Sequence, residues 1–447
     1  MRGLFLRPHK KRFPVKQSAA REVVPPAVSD APIPTFGEVF AGGAFVELVR
    51  AGASIHPRLL LRDGPQQMVG DIVEYRGQRY EPQSIHHTIL RELTLPAEVG
   101  TSGAVRELLS DLVGLIDRFV RLPEKSMALV GRFILATWVV DALQTAPRML
   151  IEGPDTARAR QLMLLLHCCC RRAVPMSAVT PSGLCSLPSG MLLTLLLQHE
   201  SISPKLAALL KAASIRENPV LRAGQLRDLF GAQVILCDEG FDEGAWVASS
   251  IRVPCIPTSG RLPVLDTEQQ QRIADKFQAA LLAFRFTNYR AACMTSFDPS
   301  KFAIPLQQLA MSLAAATPGD AELQAELHTL LKEENAEIDA ANWVDPNTVI
   351  VEAILAHCRE AKSKSVYVGE IAVMAEKILE GRGSLRRLDA GETGRRIKNL
   401  GFSAEPRDAK GVKLRLTNEV CGRAHELAHQ FDVPAVRECD DCRAVGM

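Results

Sequence analysis

Three groups of residues in this chain have the types and spacing for chemistry. The first lies in residues 149–166, MLIEGPDTARARQLMLLL, where an apolar, strand-like run ends at Gly153-Pro154 and a helix-like run follows. Strand, loop and helix in this order form the layout of a phosphate-binding loop, whose pattern is G-x-x-x-x-G-K-[ST]. There the glycines let backbone amides curl around phosphates, the Lys neutralises them and the hydroxyl binds magnesium. Laid on Gly153, the pattern puts Arg158 at the second glycine, Ala159 at the Lys and Arg160 at the hydroxyl. The Cβ of Arg158 disfavours a left-handed backbone by roughly 1–2 kcal/mol, and Asp155 brings negative charge to where phosphates would sit. The remnant is therefore Gly153, Pro154, Thr156, Arg158 and Arg160, and a guanidinium fork does not reproduce the geometry or reach of a Lys head. The other half of such a site is an apolar strand ending in Asp-Glu, which holds magnesium and orients water. VILCDE offers Asp238 and Glu239 as candidate catalytic residues.

The second group is at the C-terminus. HELAH, residues 425–429, matches H-E-x-x-H, with His425 and His429 one helical turn apart and Glu426 as a base. The Gly and third His of the extended zinc-protease pattern are missing after it. Cys439 and Cys442 follow at a spacing that could close a tetrahedral His-His-Cys-Cys zinc site. A surface Cys pair beside two solvated histidines is the alternative. The third group is basic: residues 382–415 hold ten Lys or Arg (Arg382, Arg386, Arg387, Arg395, Arg396, Lys398, Arg407, Lys410, Lys413, Arg415) against four acids (Asp389, Glu392, Glu405, Asp408). In ETGRRIKNLGF, Arg395, Arg396 and Lys398 would face phosphates or base edges, with Lys410 and Lys413 on a following hairpin. A protein-docking unit with a solvated basic face is the competing reading.

The elements that must position these groups can be read from periodicity. Residues 1–35 are a basic arm, with six Lys or Arg and no acid in the first sixteen, and a Pro-rich linker on which no fold is forced. Residues 36–100 read as a small α+β module. From 101 to 266, two amphipathic helices precede candidate strands RMLIE (148–152), AVPMSAV (173–179), MLLTLLL (191–197), AQVILC (232–237) and SIRVP (250–254). Short apolar strands alternating with helices predict a mainly parallel α/β sheet covered on both faces. Residues 267–344 are wholly helical, a lid or bundle. Residues 345–447 read as three helices, a two-stranded wing (SAEPRDAKGVKLRLT) and a tail.

The totals set the class. A chain of 447 residues, 47% hydrophobic and 23% charged, has room for two or three domains of ordinary globular composition. GLFL near the start is too short for a secretory signal, and FILATWVV and LMLLLHCCC are too short to span a membrane. Eleven cysteines, three of them adjacent at Cys168, Cys169 and Cys170, suit a reducing cytoplasm in which thiols pack as small hydrophobes.

From LIDRFVRLPEKSMALVGRFILATWVVDAL through LFGAQVILCDEGFDEGAWVASSIRVP to FQAALLAFRFTNYR, and again in the basic C-terminal unit, the chain resembles AAA+ ATPases of the helicase-like type carried by bacterial phages, plasmids and integrated elements. The resemblance covers roughly residues 105–442. It implies an α/β fold with an AAA+-like P-loop core, a helical lid and a C-terminal winged helix. It also puts MLLTLLLQHE at the magnesium strand, so that Gln198 and His199 stand where relatives have Asp-Glu. Asp238-Glu239 then fall on the following strand, and Ser249 stands where relatives place a trans-acting Arg. With loop Lys, magnesium acid and trans-acting Arg all absent, the expected function is a DNA-associated AAA+-like protein with an inactive ATP site, accessory to replication or maintenance of a mobile element. The alternatives are a divergent but active DNA-dependent ATPase or helicase and a winged-helix transcriptional regulator. DNA is the expected partner, with self-assembly or assembly alongside an intact ATPase, and no membrane. ATP with magnesium and a structural zinc are the cofactor candidates.

Overall fold

The computed structural model describes residues 31–50, 52, 56–101, 103–199, 201–237, 244–258, 261–359, 364–409, 411–431 and 433. Asp238, Glu239, Lys410, Cys439 and Cys442 lie outside the described residues.

The chain opens with seven short strands, β1 (Ile33–Thr35), β2 (Gly37–Val39), β3 (Phe45–Arg50), β4 (Pro57–Asp63), β5 (Gln66–Gly70), β6 (Val73–Tyr75) and β7 (Gln78–Pro82), and a helix, α1 (His87–Glu92). Strands β2 to β5 form an antiparallel sheet in sequence order, and β7 lies between β1 and β6 in a second sheet. The β6–β7 turn is Arg76-Gly77, both left-handed at φ 51° and 76°, the geometry that matches the twist of a two-residue hairpin. Strand β3 is buried from Phe45 to Val49. Its Val46 and Leu48 join one apolar cluster while Val49 joins another, the period-two signature of a strand covered on both faces.

Helices α2 (Val105–Phe119) and α3 (Glu124–Trp138) follow. Leu109, Leu112, Ile116 and Phe119 make one buried stripe along α2, as helical periodicity requires. Gly131 of α3 lets the two helices close up, because a Cβ there would stand 2.8 Å from Leu109 Cδ1.

The central sheet is built from β8 (Arg148–Glu152), β9 (Ala173–Ser177), β10 (Thr194–His199), β13 (Gln233–Cys237) and β14 (Ile251–Pro254). Between them run α4 (Thr156–Cys169), α5 (Pro181–Leu184), α6 (Pro204–Ala213), a hairpin of β11 (Val220–Arg222) and β12 (Gln225–Arg227), and α7 (Gly244–Val247). All five strands are parallel, in the order β14-β8-β13-β10-β9. Met149, Ile151, Val234 and Leu236 face a cluster shared with α2, α3 and α4; Leu150, Ile235, Leu195 and Leu197 face one shared with α6 and the N-terminal strands. Both faces are covered, which is why these strands read as continuous apolar runs. The β11–β12 hairpin escaped the sequence reading: Leu221 and Leu226, paired across it, are each 68% exposed, so it lacks a buried face to set a pattern.

The rest is helical: α8 (Thr267–Cys293), α9 (Ile304–Ala314), α10 (Ala321–Leu330), α11 (Lys332–Trp343), α12 (Pro346–Arg359), α13 (Val368–Gly381), α14 (Ala390–Asn399) and α15 (Asn418–Gln430), with β15 (Ser365–Tyr367) and β16 (Lys413–Arg415) between the last four. Acids of the α10–α11 region meet bases of the core in a row of ion pairs: Arg106 with Asp320 (3.0 Å), Arg132 with Glu326 (3.0 Å), Lys125 with Glu333 (2.6 Å) and Arg252 with Glu337 (3.0 Å). Helices α12 to α15 close around their own core of Val349, Ile354, Ile371, Leu379, Ile397, Phe402, Leu414 and Leu427. Strand β16 pairs antiparallel with β15, while the expected second limb of the wing is reduced to bridges at Ala404–Leu414 and Asp408–Gly411. Pro406 within that limb has no N–H to donate to a ladder.

A buried charge cluster joins the N-terminal strands to the core. Glu47 of β3, 2% exposed, pairs with Arg171 (2.6 Å), with Arg172 and with Arg285 of α8 (3.0 Å). Arg285 also takes Asp141 (2.5 Å). Burial alone would raise the Glu47 carboxyl, but the three guanidiniums outweigh it and hold the group at about 2.

Candidate nucleotide loop and nucleic-acid interface

Helix α4 leaves β8 on one face of the sheet, with Ala159, Leu162, Leu165 and Leu166 in the first cluster. After β13, the strand beside β8, Trp246 packs on the opposite face. Chains diverging in this way from neighbouring strands create the switch point at which open α/β sheets hold ligands. Gly153 stands there with φ 116°, and a Cβ on it would lie 2.5 Å from the Cys255 carbonyl oxygen, so only glycine fits.

That close approach stitches the loop to the segment after β14. Cys255 N donates to the Glu152 carbonyl (2.6 Å) and Asp155 N donates to the Cys255 carbonyl (3.2 Å). Asp155 is the N-cap of α4 and accepts from Arg158 N (3.0 Å) and Arg158 Nε (3.2 Å). The remaining arms of Arg158 donate to the Arg121 carbonyl (2.8 Å) and Thr258 Oγ1 (2.7 Å), with the side chain 4% exposed. A helix N-terminus attracts an anion through its free amides and dipole. Here the anion is the chain's own carboxylate, and the amides of Asp155 and Arg158 already have protein acceptors. Gly153, Pro154, Thr156 and Arg160 are exposed around it.

Strand β13 separates β8 from β10. At the end of β10, Gln198 is half-buried and its carbonyl accepts from Ala178 N (3.2 Å). His199 Nε2 accepts from Val179 N (3.1 Å), and burial lowers its pKa. Ser249 is buried at the amino end of β14, where its Oγ accepts from Arg148 Nη2. Arg148 starts β8 beside the Trp246 ring, and burial without a carboxylate pulls its pKa down to about 10.

The C-terminal unit treats its cations differently. Asp389 caps α14 by accepting from Glu392 N (2.7 Å), and Thr393 and Ile397 turn inward. Glu392 then binds Arg396 (2.8 Å) and Arg386 (3.3 Å), and Arg396 Nη1 also donates to Asn347 Oδ1 (3.0 Å). Arg382 pairs with Glu352 (2.5 Å), Lys413 with Asp408 (3.5 Å) over the Tyr367 ring, and Arg415 with Glu405 (2.5 Å). Arg387, Arg395, Lys398 and Arg407 are exposed and have no carboxylate partner among the described residues. Sequence counting could not separate the paired from the unpaired cations, and it missed Asn347 and Glu392 as the groups that fix Arg396.

His425, half-buried, and His429, exposed, lie one turn apart on α15, and Glu426 pairs with Arg423 (3.1 Å). Among the described residues no group of three His, Cys, Asp or Glu is placed to hold a metal, and no helix is long and apolar enough to cross a membrane.

No family model matches the chain, and no curated protein matches it. Among solved structures it is similar to the apo A form of the NrS-1 C-terminal region, with 13% identity over 83% of this chain and 96% of that one, at a TM-score of 0.34. A second structure of that region, residues 305–718, gives 11% identity over the same shares at 0.34. Drosophila ORC bound to DNA gives 13% identity over 74% of this chain and 93% of that one, at 0.20.

Proposed function

We propose that this chain is a DNA-associated protein with an AAA+-like core whose nucleotide site does not hydrolyse ATP, and a C-terminal winged helix that holds duplex DNA. One observation carries the reading: Arg387, Arg395, Lys398 and Arg407 are exposed on one small unit with no carboxylate partner among the described residues, where phosphates can take them. A duplex suits this surface better than a single strand, which needs aromatic platforms for its bases. Phe402 is buried, Tyr367 lies under Lys413, and Trp343, although 43% exposed, already carries the Arg382 guanidinium 3.9 Å over its ring.

What supports an idle nucleotide site is the self-satisfied loop: Asp155 fills the helix N-terminus and Arg158 is spent on three protein acceptors. The accessory role beside an intact ATPase of a mobile element rests on the sequence resemblance, and a cytoplasmic location on the eleven cysteines. Binding of the full chain to a short duplex between 50 and 200 mM salt tests the DNA reading. Four phosphate contacts give a log–log slope of about −3 to −4, and a slope near zero rejects it. Magnesium-dependent ATP binding below millimolar, with phosphate release, would favour the active ATPase instead.

A further inference from the structure

We infer that Leu385 is an apolar DNA contact, held out by the α13–α14 connection to meet a sugar or thymine methyl between phosphates taken by the neighbouring cations; this rests on the reading of the C-terminal unit as DNA-binding. Leu385 is 99% exposed, whereas Leu355, Leu379, Leu388, Leu414 and Leu427 of the same unit are at most 3% exposed. A single exposed leucine is ordinary on a protein surface. This one differs in being fixed and in its company.

The connection is fixed on both sides of it. Gly383, at φ 78°, ends α13 with Ser384 N donating to the Leu379 carbonyl (2.9 Å), a helix-terminating motif that needs glycine's left-handed backbone. Arg386 N donates to Ser384 Oγ (3.3 Å), and Leu388 N to Glu376 Oε1 (3.1 Å), while the Leu388 side chain is 2% exposed. Asp389 then caps α14. Leu385 is thus presented outward by a backbone that is anchored before and after it, and a contact there costs little ordering.

Its company selects the partner. Arg386 pairs with Glu392 on the first turn of α14, and Arg387 is exposed with no carboxylate partner among the described residues, so Leu385 is followed directly in the chain by two cations, one of them uncommitted. A polyanion with apolar edges between its charges matches that arrangement. Duplex DNA offers this in its thymine methyls and sugars, which apolar side chains touch in the grooves.

The test compares Leu385→Ala and Arg387→Ala in the full chain on one duplex across a salt series. Leu385→Ala is expected to weaken binding about fivefold at every salt, the loss for leaving roughly half a leucine uncovered, with unchanged salt slope and melting temperature. Arg387→Ala is expected to reduce the slope by about 0.9. Wild-type affinity in Leu385→Ala overturns the inference while leaving the DNA reading intact. A changed slope in Leu385→Ala also overturns it, since an apolar contact releases no counterion. Failure of the wild type to bind duplex overturns both.

Discussion

Helices α4 and α14 both begin with an aspartate cap followed by arginines, and they dispose of charge in opposite ways. On α4, Asp155 binds Arg158, and the guanidinium is then buried against Arg121 and Thr258. On α14, Asp389 binds Glu392, Glu392 takes Arg386 and Arg396, and Arg395 and Lys398 are left facing outward. Similar helix starts therefore give a closed electrostatic circuit in one place and a surplus in the other. What decides is the fate of the next cation, not the cap.

The strongest way to press this contrast between enclosed and surface charge is to remove one acid from the buried Glu47 cluster and one from α14. Glu47→Gln leaves Arg171, Arg172 and Arg285 buried with Asp141 as their remaining acid, and is expected to cost about 3–5 kcal/mol in urea unfolding. Glu392→Gln on the surface should cost under about 1 kcal/mol and tighten duplex binding by freeing Arg386 and Arg396. A small loss at Glu47 would break the contrast.

Acid should act on the same group. The Glu47 carboxyl is held at about 2, below its unfolded value, so its stabilisation is complete above pH ~4.3 and is lost as pH falls toward 2. Acid unfolding of the wild type should carry this component, Asp141 shifting in the same direction, and Glu47→Gln should lack it.

Asp155→Ala removes a cap and one partner of Arg158, with an expected loss of about 1–2 kcal/mol in thermal melts and no gain of ATP binding. Submillimolar magnesium-ATP binding by that variant would show that the carboxylate alone had kept a working site closed. The smallest stability effect belongs to Arg395→Ala, within about 0.5 kcal/mol, yet it should lower the salt slope by about 0.9. Arg396→Ala should lower it by less, because Glu392 and Asn347 already engage that side chain.

The inner core strands were legible because burial on both faces leaves apolar runs such as VILC of β13, whereas the edge strands β9 and β14 carry exposed positions at Pro175 and Arg252. The missing Lys at Ala159 was equally plain. Burial of Arg158 was not, because its acceptors at Arg121 and Thr258 lie 37 and 100 residues away and one of them is a backbone carbonyl. The basic count over 382–415 was likewise correct as a sum, but Glu352, from outside that window, takes Arg382, and Asn347 takes part of Arg396. Local composition reports how much charge a segment has; long-range pairing decides how much it can offer a ligand.

The Glu47 cluster also bears on how the protein can be divided. A truncated chain starting after the N-terminal strands would keep Arg171, Arg172 and Arg285 but lose Glu47, leaving Asp141 as the one acid against three guanidiniums in that cluster. Such a fragment would expose a patch of raw positive charge and cling to any polyanion, so nucleic-acid capture by it would be an artefact of the cut.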